Sequence, residues 1–154
     1  DVLVGHAPGH QAEDVDLLVF GPAGATPRFG RTPAPRRTAD LAPAPVVVAC
    51  SGSPAGLRAV TIAERLARAR RQRLEVLVIA DDEDTALALA ADLGNKLQPP
   101  PASCRAMPRP DTETLLRSAR GAGVLVIEAL PELLQGLGLR ALQQGLVCPV
   151  LLVR

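Results

Sequence analysis

Ser51-Gly52-Ser53-Pro54 is the segment of this chain best equipped for chemistry, because two hydroxyls flank a glycine where an apolar run gives way to a helical one. At a strand-to-helix turn such residues can meet a phosphate with backbone amides at a helix N-terminus, or cap the helix with no ligand at all. Ser53 followed by Pro54 has the form of a cap and a first helical residue. Gly52 to Gly56 is not a nucleophile elbow, since Ser53 stands second in it rather than third. His6 and His10 are four apart, but Pro8-Gly9 between them forbids the helix that would aim both at one metal, so they read as surface histidines. Cys50, Cys104 and Cys148 form no CxxC pair and have no histidine at ligand spacing. Cys50 and Cys148 lie in apolar runs and read as small buried hydrophobes, in a reducing compartment. Asp81 to Asp84 lacks the spacing of a calcium loop and reads as a helix start. These residues supply no catalytic set and no metal site, and the expectation is a protein that is not an enzyme.

The elements that position these residues follow from hydrophobic periodicity. From residue 44 onward, short apolar runs alternate with longer amphipathic ones, the signature of parallel strands joined by crossover helices. Val46 to Cys50 is the first such strand, and the helix after Pro54 runs to about Gln72, with Ala59, Val60, Ala63, Leu66 and Ala67 on one face and Arg58, Arg65 and Arg68 on the other. Leu74 to Ala80 is a strand, and the acidic run after it opens a helix that Gly94-Asn95 should close. Ser103 to Met107 is a short strand. Asp111 caps a helix over Thr112 to Ser118, and Gly121-Ala122-Gly123 ends that unit. Val124 to Ile127 is the fourth strand, Pro131 to Gln144 a Leu-rich helix, and Cys148 to Val153 the last strand, with Pro149 suited to the start of an edge.

Residues 1–43 differ. They hold one apolar strand, Val15 to Phe20, and then a Pro-rich stretch carrying Arg28, Arg31, Arg36 and Arg37 that reads as a linker. Composition sets further bounds. With 47% hydrophobic residues in 154, the chain can bury a substantial core, and a formal net charge of +1 implies neither nucleic acid nor an anionic membrane. There is no Trp or Tyr and there are only two Phe, which removes a stacked single-strand binding surface. No apolar run approaches the roughly 18 residues of a membrane helix.

The strand series, with Ala49-Cys50-Ser51-Gly52-Ser53 at its head and Cys148-Pro149-Val150-Leu151-Leu152-Val153 at its tail, resembles the universal stress protein family over about residues 44–154. The resemblance implies an α/β fold with an open five-stranded parallel sheet of order 3-2-1-4-5, helices on both faces, of the adenine nucleotide alpha hydrolase-like kind. It also implies antiparallel pairing of the last strand, Val150, Leu151, Leu152 and Val153, with a second copy, giving a homodimer. The ATP-binding members place a glycine-rich phosphate loop after the fourth strand. Here Glu128-Ala129-Leu130-Pro131-Glu132 follows that strand, and Glu128 lies only eight positions before Gly136, about five residues short of the family spacing. Glu128 and Glu132 add repulsive charge, Leu137 replaces the hydroxyl residue after Gly136, and Ser51 replaces the family's Asp. Asp14 to Gly24 is similar to the fourth strand and first loop glycines of a preceding copy. A plain edge strand is the alternative, and it competes with a partner for the last strand.

Ser51-Gly52-Ser53 also faintly resembles the Ser-Gly-Gly loop of ATP pyrophosphatases, but the second glycine is missing. The expectation is therefore a cytoplasmic regulatory or dimerisation domain without a cofactor, acting on an unidentified protein partner. The alternatives are an adenine-nucleotide sensor, binding ATP or AMP through Ser51, Gly52, Ser53, Ile79 and Gly136, and the cytoplasmic regulatory domain of a membrane transporter.

Overall fold

A computed structural model describes residues 43–129 and 145–154 together with the backbone of 17–20. The elements in chain order are β1 (Leu17–Phe20), β2 (Val46–Cys50), α1 (Pro54–Arg70), β3 (Leu74–Ala80), α2 (Glu83–Lys96), β4 (Ser103–Pro108), α3 (Thr112–Ser118), β5 (Val124–Glu128) and β6 (Val150–Val153). They build one six-stranded sheet of order β1-β6-β5-β2-β3-β4. The five strands from β2 to β6 are parallel and, numbered from β2, run 3-2-1-4-5 across the sheet. The helix expected over Pro131 to Gln144, with Gly136, lies outside the described residues.

Period-2 alternation sorts the strand residues onto two faces. Val46, Val48, Cys50, Val76, Val78, Val124 and Val126 form one core layer with Ala59, Val60, Ala63 and Ala67 of α1 and with Ala90 and Leu93 of α2. Val47, Ala49, Leu77, Leu125 and Ile127 form the other, with Leu115 of α3. Helices thus cover both faces, and β2 and β5 are buried at every residue, as parallel strands in this arrangement must be. Gly56, Ala59, Ala63 and Ala67 give α1 a face of small side chains, so its backbone lies close to the sheet.

The caps are local chemistry. The hydroxyl of Ser53 accepts from the Gly56 amide, and the carboxylates of Asp82 and Asp111 accept from the Thr85 and Thr114 amides at 2.8 and 2.7 Å. α2 ends near Gly94-Asn95 as expected, at Lys96, where the Leu97 amide donates back to the Leu93 carbonyl. One expected boundary moves. The last strand starts at Val150, two residues later than expected; the Pro149 carbonyl accepts from Leu125, while its ring nitrogen has no proton to give.

Of the two covers that the sequence offers for the last strand, the N-terminal strand is the one seen. β6 is not the outermost strand, because β1 pairs with it antiparallel in the register Leu17↔Val153, Leu18↔Leu152, Val19↔Leu151 and Phe20↔Val150.

The carboxyls of Asp82 and Asp111 are held below their ordinary value by hydrogen bonds from Thr85 and Thr114. Their contribution to stability is therefore present above the unfolded carboxyl value and is lost as pH falls through the lower folded one. Asp82→Ala and Asp111→Ala should lower the urea midpoint at pH 7. As pH falls below the ordinary carboxyl value, the difference in urea midpoint between each variant and the parent chain should shrink, because protonation removes the charged caps.

Candidate functional site

In an open α/β sheet the crevice that takes ligands lies beyond the carboxyl ends of the two strands where the connections turn in opposite directions. Here those strands are β2 and β5, which pair directly from Val46↔Val124 to Ala49↔Ile127. β2 ends at Cys50 and delivers Ser51-Gly52-Ser53 to this point. β5 runs one residue further than its apolar stretch and delivers Glu128.

Alternation puts Glu128 on the same face as Val124 and Val126, beneath the first turn of α1. It is fully buried, the only charged or polar residue so placed among the described residues. Its carboxylate is well supplied with donors. Oε2 accepts from the Ser51 amide at 2.7 Å, and Oε1 accepts from the Ser53 hydroxyl. Ser53 Oγ in turn accepts from the Gly56 amide at 3.0 Å, and the Ser53 amide donates to Ser51 Oγ at 3.2 Å. The positive end of the α1 dipole and a backbone amide thus converge on an anion that belongs to the chain itself.

Gly56 is the residue this arrangement needs and the one that sequence reasoning passed over. A Cβ at that position would stand 2.2 Å from the Ser51 carbonyl oxygen and 2.7 Å from Glu128 Oε2. Neither group can give way, because one is backbone and the other is held by two donors. The only sequence signal was a glycine in the first turn of a helix, where nothing about helix formation calls for one.

The other expected site residues are dispersed. Gly52 is exposed and lies against Leu89. Ile79 is in β3, two strands from Glu128, paired with Met107 of β4. Gly136 lies outside the described residues, as do His6 and His10. Clefts of about 210 Å³ beside Arg68 and Pro99, and of about 310 Å³ at the end of β4, are lined by none of Ser51, Gly52, Ser53 or Glu128.

The thiols are buried or half-buried, and all three are free. Burial, and after it the charge of Glu128, pushes the Cys50 thiol up to about 12. Burial raises Cys104 and Cys148 as well. A thiol raised in this way holds almost no thiolate near neutral pH, so none of the three is set up as a nucleophile. Among the described residues there is no group of three or more His, Cys, Asp or Glu able to hold a metal, and no helix is long and apolar enough to cross a membrane.

No family model matches the chain, and no curated protein matches it significantly.

Removing the internal anion should cost stability in proportion to the donors it leaves behind. Glu128→Leu strands the Ser51 amide and should destabilise the chain by about 2–3 kcal/mol. Glu128→Gln keeps an acceptor oxygen and should cost about 1–2 kcal/mol. Gly56→Ala forces backbone to move and should cost about 2–3 kcal/mol. Urea unfolding followed by circular dichroism measures all three. A Gly56→Ala chain as stable as the parent would contradict the close approach of α1 to Glu128.

Proposed function

We propose that the chain is a regulatory or dimerisation domain of the universal stress protein kind that does not bind or hydrolyse ATP, and whose switch point is filled by its own carboxylate. The observation that carries this reading is the buried Glu128, bonded to Ser51 and Ser53 beneath the first turn of α1. A nucleotide phosphate entering there would have to displace a carboxylate that already holds the available donors, and would meet its charge at short range in a dry site. The shortened segment between Glu128 and Gly136 supports the same conclusion, since it leaves fewer backbone amides to wrap a triphosphate.

The three free cysteines, with no disulfide among them, support a reducing, cytoplasmic setting. A domain of this kind acts through protein contacts. A homodimer through Val150 to Val153 remains part of the proposal, with the condition that β1 first yields the ladder it occupies on β6.

Isothermal titration of the chain with ATP and with AMP, each with magnesium, tests the nucleotide reading. The expected result is no saturable heat at millimolar nucleotide and no nucleotide carried through purification. Binding in the micromolar range would overturn the proposal and make the domain a nucleotide sensor.

A further inference from the structure

The covering of β6 by β1 has an unusual geometry. Among the described residues β1 is the only antiparallel strand in the sheet, and its ladder is four residues long. Because it runs antiparallel, Phe20 at its C-terminal end lies opposite Val150, at the end of the sheet where β2 also begins. From β1 to β2 the sheet order crosses three interstrand spacings, about 14 Å. About five residues of extended chain cover that distance. The sequence supplies 25 between Phe20 and Val46, with prolines at 22, 27, 33, 35, 43 and 45. Fully extended, such a segment reaches on the order of 80 Å.

The connection is thus several times longer than its task within one chain requires, and it ties down a strand held to the sheet by one short ladder. We infer that β1 exchanges between copies, so that the β6 edge of one chain takes β1 of a second copy in the same antiparallel register. The four-residue ladder is identical in the two arrangements, so it does not itself choose between them. Chain length and concentration do. With 25 residues the strand closes within its own chain at low concentration and is shared between chains as concentration rises. The partner surface is the edge of Val150 to Val153, and the partner is an extended strand with the sequence Leu17-Leu18-Val19-Phe20. This inference does not depend on whether the switch point takes nucleotide.

Register pairs give a direct test. Val19 stands opposite Leu151, and Leu151 is only partly buried against the core, so a cysteine there removes less packing than at its buried neighbours Val150 and Leu152. In a background with Cys50, Cys104 and Cys148 changed to Ala, a chain carrying Val19→Cys is mixed with a chain carrying Leu151→Cys in a glutathione redox buffer. A covalent heterodimer is expected on non-reducing gels, in an amount that rises with total protein, together with an intrachain bridge when both changes are in one chain. A double variant that closes its bridge while the mixture stays monomeric would overturn exchange. Failure of the double variant to bridge while circular dichroism shows native helix would overturn it as well, by removing β1 from β6.

A second variant avoids the cysteine background. Deleting residues 22–43 leaves three residues between Phe20 and Val46, too few to pass the ends of β6 and β5. The expected outcome is a dimer at all measurable concentrations by light scattering. A folded monomer would overturn the inference.

Discussion

The carboxylate of Glu128 is the constraint on which the centre of this structure depends. It joins the end of β5 to the turn between β2 and α1, segments separated by 75 to 77 positions in the chain, through two hydrogen bonds. A buried carboxylate without donors would be costly, and one with an amide, a hydroxyl and a helix N-terminus around it is not. Each partner is then held in turn. Ser53 gives its proton to Glu128 while its oxygen caps α1, and α1 can lie this close only because Gly56 has no side chain. A single glutamate thereby fixes the entry of the first crossover helix onto the sheet.

The same interaction is the basis of the reading proposed for the switch point. The fold brings a glycine-flanked helix N-terminus to the place where α/β sheets meet phosphates, and the chain answers with its own negative charge. The geometry of an anion site is kept while the space for an anion is used. On the proposed reading the crevice is held closed by the chain's own carboxylate, and the domain acts through its surfaces.

Among those surfaces is the edge beyond β6, where β1 is added to the parallel sheet. The parallel strands are locked by helices on both faces and by crossovers of fixed hand. β1 has neither. It arrives over a long connection and contributes a short ladder to a strand that would otherwise present unpaired amides and carbonyls, an arrangement proteins ordinarily cover. Covering that edge from within one chain and covering it from another are the same chemistry at different concentrations.

Much of this was legible in the residues. The apolar runs at Val46, Leu74 and Val124, with helical spacing between them, made a parallel α/β sheet the natural reading, because hydrophobic periodicity is local information. Ser53, Asp82 and Asp111 declared their helices for the same reason, since a cap acts within three residues of itself. Glu128 was legible as a charge unfavourable to phosphate, but not as a buried ligand of Ser51 and Ser53, nor was Gly56 legible as the residue that makes room for it. Val150 to Val153 read as an edge with two candidate covers, a second copy and the N-terminal strand, and the pairing with Leu17 to Phe20 shows the second. These are contacts between segments far apart in sequence, set by strand order and by the pleat that puts Glu128 on the face of α1. Local pattern determines which elements form. Which side chain of one element comes to lie against another is decided by the packing of the whole sheet.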